Sequence, residues 1–352
     1  MSRVTKSRSR KAGLPPGSLV HIGERHRERP RMTLLRASPE GTEVREIATA
    51  AECPPRAPGV LTWLNFDAMH DPALLREFGA HYGLHPLVLE DILNTDQRAK
   101  LEDYGEYLYI VLRLFRHTDR GQIEPEQLSL IVGADFVLSF QEGRHDDFEP
   151  LRERLRTGHD RLPERGVDYL TYLLLDAAVD GYFRTLEQYD ADVQRLEEQL
   201  ISGRLNGTLS EVHRRRRELI VMFRAVWPLR EVLGQLVRSA SLRLSEATRL
   251  HLRDVQDHVL YAVDTLETLR EVLTGLLETH LALSTQRANE VIRVLTVIAT
   301  VFMPATLVAS IYGMNFRHMP ELDWSWGYPL ALAVMALVTL GLLWFFRRRK
   351  WW

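Results

Sequence analysis

Two stretches near the C-terminal end most constrain what this chain can fold into. Val294 to Tyr312 and Tyr328 to Phe346 each run 19 residues without a charged side chain. At about 1.5 Å of rise per helical residue, each is long enough to cross a bilayer core of roughly 30 Å. Between them lies a loop, 313–327, that carries Gly313-Met314-Asn315. Such a loop is either a plain connector between two spans or the mouth of a path through the membrane. Two buried helices of a soluble core are the alternative. The uncharged length, the basic cluster after the second stretch and the aromatic flanks argue against it.

Flanking charges predict the orientation. Arg287 and Arg293 precede the first stretch, and Arg347, Arg348, Arg349 and Lys350 follow the second. The loop carries one arginine against Glu321 and Asp323. Positive residues stay on the cytoplasmic side, so both termini are expected inside and the loop outside. Trp324, Trp326 and Tyr328 would anchor the outer interface, and Trp344, Phe345, Trp351 and Trp352 the inner one.

Most of the 352 residues precede the first span, enough for one sizeable core or two smaller ones. A formal net charge of −2 gives no case for a nucleic-acid partner. Cys53 is the one cysteine, so no disulfide framework is expected and a reducing compartment fits. Residues 1–16 begin with Arg3, Lys6, Arg8, Arg10 and Lys11, with no apolar run behind them. This reads as a disordered basic tail and not as a secretory signal.

Residues 17–160 mix strand and helix signals. Val60–Asn65, Leu108–Phe115, Leu128–Val132 and Phe136–Phe140 are β-branched or aromatic runs bounded by turn residues. Asp71–Tyr82 and Pro86–Leu93 have helical spacing, with Asp71-Pro72 as an N-cap followed by proline. An α/β cytoplasmic domain with a mixed sheet is expected. A helical hairpin follows over 161–245, with one helix from Val167 to Ser202 and another from Thr208 to about Ser239. A third helix opens at Ser245-Glu246 and meets no proline until Pro304. The stretch 246–312 is thus expected as a stalk helix of roughly 100 Å that becomes the first membrane span at about residue 291. The loop 313–327, the second span 328–346 and a basic cytoplasmic tail 347–352 complete the chain.

Leu252, Val255, Val259, Ala262, Leu266, Leu269, Leu273 and Leu276 alternate at three and four along the stalk. This coiled-coil-like seam suits packing on the two preceding helices or on copies of the chain, and periodicity does not choose between them. Two spans cannot enclose an aqueous path, so transport would require several copies around an axis. Asn289, Ile292, Thr296, Ala299, Met303, Thr306 and Ser310 fall three or four apart on one face. That stripe fits either a pore lining or helix packing with its hydroxyls bonded back to their own helix. No acidic residue lies within either span. A path lined with neutral oxygens suits an ion that keeps its water, and Mg²⁺ dehydrates reluctantly. No Walker-type loop is present, but a cell-negative potential of 100 mV supplies about 4.6 kcal/mol to a divalent cation.

Tyr312-Gly313-Met314-Asn315-Phe316, followed by Met319-Pro320-Glu321-Leu322 between two C-terminal spans, resembles the CorA family of divalent cation transporters. Val294 to Pro304, the basic-aromatic tail, Leu89-Glu90-Asp91-Ile92-Leu93 and Arg253-Asp254-Val255-Gln256-Asp257-His258 also look like the family. The resemblance implies a funnel-shaped homopentamer in a bacterial or archaeal cell membrane, carrying Mg²⁺, with Co²⁺ or Ni²⁺ as further cargo. It implies that Asn315 rings the outer mouth and binds the water shell of the ion. Gly313 would let the backbone turn out of the helix, and Met314 would pack behind the ring. The family pattern maps a constriction onto Ile292, Leu295 and Met303, a second polar ring onto Asn289, and Glu278 below it. Thr306 and Ser310 would line the path above.

The same resemblance implies regulatory Mg²⁺ sites between subunits, built from Glu90, Asp91, Asp176 and Asp254. A bound cation would bridge carboxylates that otherwise repel, and hold the pore closed. Taken alone, these four read as solvated acidic residues. His251, Asp254 and His258, at i, i+3 and i+7, could form a transition-metal face, although a solvated face is the more common meaning of that spacing. Two other functional readings stand beside the Mg²⁺ pathway. One is a zinc transporter of the ZntB type, a group that carries Ile where this chain has Met314. The other is a cytosolic sensor or scaffold for which the two spans are only an anchor. An enzyme is not expected, because no nucleophile–base arrangement follows from the scattered histidines or from Cys53.

Overall fold

Alternation in the N-terminal half builds a seven-stranded sheet. Its strands are β1 (Arg31–Ser38), β2 (Gly41–Ile47), β3 (Leu61–Asp67), β4 (Lys100–Asp103), β5 (Leu108–His117), β6 (Ile123–Val132) and β7 (Phe136–Gln141). The computed structural model describes residues 13–22, 30–117, 121–143, 146–157, 161–203, 207–238, 244–315 and 317–351. Residues 1–12 of the expected basic tail, Ser239, Phe316 and Trp352 lie outside them. The strand order is β2-β1-β3-β7-β6-β5-β4, and every pair is antiparallel except β3 with β7. The sheet is therefore mixed. The four runs expected as strands fall in β3, β5, β6 and β7. Of the other three strands, β2 and β4 carry exposed charges such as Glu43, Glu46 and Asp103, which mask their alternation.

Side chains of a strand point alternately to its two faces. On one face Leu64, Phe66, Leu138 and Phe140 meet α1 (Pro72–Tyr82) and α2 (Pro86–Leu93) through Leu75, Phe78, Val88 and Ile92. Asp71 caps α1 by accepting from the Ala73 amide at 2.8 Å, and Pro72 occupies the first turn. On the other face Trp63 is fully buried, donates to Ser139 Oγ at 2.9 Å, and lies beneath the Arg152 guanidinium of α3 (Glu149–Arg156). Burial pushes the Arg152 pKa down to about 10. Asn65, Ser139 and Gln141 link their polar groups beside it.

Three long helices follow: α4 (Leu162–Ile201), α5 (Thr208–Arg238) and α6 (Glu246–Tyr312). Gly166 breaks the start of α4 with φ 84°, so regular helix begins at Val167. Tyr182 of α4 donates to the Arg113 carbonyl of β5 at 2.5 Å and fixes α4 to the sheet. Ser245 caps α6 by accepting from the Thr248 amide, while its own amide donates to Asp168 of α4 at 2.9 Å. All eight seam residues from Leu252 to Leu276 are buried within the single chain.

Contacts divide the chain into one unit up to Thr274 and a second from Gly275 to Trp352. The second unit holds the end of α6, a 3₁₀ turn at Pro320–Leu322, and α7 (Gly327–Arg348). Its two apolar helices are long enough to cross a membrane and are almost uncovered in the chain, unlike the core helices of a soluble protein.

Candidate ion path and regulatory carboxylates

α6 continues through Pro304 and ends at Tyr312. The Gly313 amide donates to the Ala309 carbonyl at 3.0 Å, and the Met314 amide to Ile311 at 3.2 Å. Gly313 does not take a left-handed φ. A Cβ there would stand 3.3 Å from the Ala309 carbonyl oxygen, a tight contact with the last helical turn. Met314 and Asn315 are both exposed in the single chain, and Met314 does not pack behind Asn315 there. The far side of the loop is tightly fitted. A Cβ on Gly327 would fall 2.1 Å from the Glu321 carbonyl oxygen, and the Gly327 amide donates to Trp324 at 2.8 Å. Glycine at 327 therefore fixes the Met319–Leu322 turn against the start of α7. The sequence reading missed this residue, although a glycine opening an apolar helix is a visible signal. Trp324, Trp326 and Tyr328 are exposed around it.

Along the membrane part of α6 one side is covered and the other is open. Val297, Val301, Pro304 and Val308 are partly or fully buried, at spacings of three and four. Asn289, Ile292, Thr296, Ala299, Met303, Thr306 and Ser310 are all exposed, as is Leu295. Thr296 and Thr306 donate to the Ile292 and Phe302 carbonyls at 2.8 and 2.9 Å. The hydroxyls are thus bonded back to their own helix, and each keeps acceptor lone pairs for water. Glu278, also on α6, is exposed.

Of the four candidate regulatory carboxylates, two belong to α2. Glu90 accepts from the Gly17 amide at 2.6 Å. Asp91 is engaged at both oxygens, by Gln97 Nε2 at 2.7 Å and by Lys100 Nζ at 2.6 Å. Lys100 also reaches Glu102 at 2.6 Å. Burial acts to lower the Lys100 pKa, but its bonds to Asp91 and Glu102 prevail and hold it above the ordinary value. Lys100 is a second residue that sequence spacing did not single out, because the β4–β5 pairing brings it to α2.

The other two lie where α4 and α6 run side by side. Asp176, Asp180 and His258 can each offer a ligand atom within 4.8 Å of the others. Asp254 is exposed, 3.9 Å from His258 Nε2. Burial and then the neighbouring Asp180 carboxylate raise the Asp176 pKa. His251 does not join this group. Its ring stacks on Tyr172 at 4.8 Å with the planes 17° apart. Burial, and then the nearby Asp176, push the Tyr172 pKa up to about 12. The His251, Asp254 and His258 face is thus split: His258 alone joins the group, with Asp176 and Asp180 of α4. An i, i+4 pair of aspartates on α4 was the available signal.

A family model described as CorA-like Mg²⁺ transporter protein matches residues 58–348. The chain is 41% identical over 350 residues to the cobalt/magnesium transport protein CorA of Thermotoga maritima, covering 98% of this chain and 99% of that protein. Its fold matches the complete structure of the CorA magnesium transporter from Methanocaldococcus jannaschii with a TM-score of 0.80 at 21% identity, covering 91% of this chain and 98% of that one. The ZntB cytoplasmic domain from Vibrio parahaemolyticus is more distant, with a TM-score of 0.56 at 13% identity over 74% of this chain and 98% of that one.

Proposed function

Since the chain belongs to the CorA-like Mg²⁺ transporter family, we propose that it carries hydrated Mg²⁺, and also Co²⁺ or Ni²⁺, inward through a pore made by five copies. The observation that carries this reading is the exposed stripe from Asn289 to Ser310, which leads along α6 to Asn315 with no acidic residue between Glu290 and Glu321. A ring of Asn315 amides would bind the waters of an incoming ion without stripping it. Glu321 and Asp323 would concentrate cations at the external loop, an effect that salt weakens. Ile292, Leu295 and Met303 would form an apolar constriction that blocks ions by dewetting when narrow. The membrane potential drives the ion, and no nucleotide is needed.

Intracellular Mg²⁺ would close this pore by binding at Glu90, Asp91, Asp176 and Asp254 on neighbouring subunits, a two-state shift driven by differential affinity. In the single chain Lys100 already neutralises Asp91. A divalent ion therefore has to displace or share with a tethered ammonium, which sets a threshold for sensing.

Flux into proteoliposomes at a defined potential tests the reading. Mg²⁺, Co²⁺, Ni²⁺ and Zn²⁺ are compared with and without a pH gradient. Uptake of Mg²⁺ that follows the potential and ignores the pH gradient is expected. Zinc uptake that requires the gradient would favour the ZntB-type mechanism instead. No ion flux from a correctly inserted chain would favour an anchored sensor.

A further inference from the structure

The end of α7 is built as a cationic collar. Trp351 N–H donates to the Phe346 carbonyl and Lys350 N–H to that of Arg347, each at 3.1 Å. Lys350 takes a left-handed φ of 55°. These two bonds define a Schellman motif, and the Trp351 ring folds back on Phe346 at 5.5 Å as its hydrophobic contact. The helix end is thereby fixed, and Arg347, Arg348, Arg349 and Lys350 are all exposed around it. Arg348 lies over the Trp344 ring at 5.3 Å and Arg349 over Phe345 at 5.8 Å. Trp344 is itself 62% exposed. No acidic residue occurs from Trp324 to Trp352.

We propose that this collar is a binding site for anionic phospholipid headgroups, with Arg347 to Lys350 contacting the phosphate-bearing surface and Trp344, Phe345 and Trp351 seated at the acyl boundary. Charge complementarity selects the occupant. A cluster of cations next to a membrane span is drawn to an anionic leaflet, and indole and phenyl rings favour the same interfacial depth. Arginine held flat on an aromatic ring keeps its outer N–H groups available for phosphate oxygens. The inference rests on α7 crossing the membrane, but it does not depend on which ion is carried.

The test uses the full chain in vesicles and measures tryptophan quenching by dibrominated phosphatidylglycerol against dibrominated phosphatidylcholine. The wild type is expected to prefer the anionic lipid. Each neutralised cation near such a surface costs roughly fivefold in binding, so the R347Q/R348Q/R349Q/K350Q variant should bring the preference close to one. The R348K/R349K variant, which keeps the charge, should retain most of it. An unchanged preference in the fourfold variant, or none in the wild type, would overturn the proposal. If the fourfold variant fails to insert, a salt series on the wild type decides: preference that falls with ionic strength supports the site, and a flat response refutes it. Were the collar to pair with carboxylates of the assembly instead, the variant would weaken the oligomer equally in both lipids and the wild type would show no lipid preference. A chain that never enters vesicles would overturn the transport reading as well.

Discussion

Leu252 and Leu295 lie on the same helix, yet Leu252 is fully buried and Leu295 is 65% exposed. The first belongs to a unit that satisfies itself. Its seam residues from Leu252 to Leu273 are covered within the chain, its sheet is packed on both faces, and its buried polar groups Asn65, Ser139 and Gln141 bond to one another. The second belongs to a unit whose apolar surface has no cover of its own. Lipid can cover part of that surface. In the proposed pore, the neighbouring stripe with Asn289, Thr306 and Ser310 would face water between copies. The first unit thus covers its own apolar surface, and the second leaves its apolar surface open.

This contrast can be broken most directly by truncating one residue in each unit. Leu252→Ala is expected to destabilise the soluble unit by about 2–5 kcal/mol. Leu295→Ala should leave that transition within about 0.5 kcal/mol. Urea unfolding of the full chain followed by circular dichroism reads both, and equal losses would contradict the division. Next in size is Gly327→Ala, whose Cβ would collide with the Glu321 carbonyl. A loss of about 1–3 kcal/mol in thermal stability and of most uptake is expected. Gly341→Ala, where a Cβ meets nothing within 4 Å, should retain both in the same assays.

Smaller effects should come from the charged groups of the first unit. Lys100→Met frees Asp91 and should tighten the protection of the stalk from protease by Mg²⁺ roughly fivefold. Asp254→Lys should abolish that protection, and unaltered protection would remove Asp254 from the sensing site. A pH effect closes the series. Burial, opposed by Arg116, pushes the Glu126 pKa from 4.5 up to about 7. The folded state therefore holds a proton that the unfolded chain releases, and stability falls as pH rises from about 4.5 through about 7. Glu126→Gln should flatten that slope, by on the order of 3 kcal/mol across the window. A slope unchanged in a pH series of melting curves would exclude Glu126 as its source.

What was legible in the sequence was whatever local spacing encodes. Uncharged length gave the two membrane helices, three-four spacing gave the seam, and Asp71-Pro72 gave the start of α1. What stayed hidden depends on tertiary approach. The partner of Asp91 comes from the β4–β5 pairing, and Asp180 meets His258 only because α4 lies beside α6. His251 was drawn away by an aromatic neighbour that spacing along α6 does not reveal. Gly313 was visible as a residue, but the fact that its φ stays outside the left-handed region was not.

The central claim is that Asn315 forms the mouth of a Mg²⁺ path. Potential-driven Mg²⁺ uptake into proteoliposomes by Asn315→Ala, compared with wild type at matched oligomer content, tests it directly. Loss of uptake with the assembly intact is expected. Uptake at the wild-type rate would contradict it and leave the loop a plain connector.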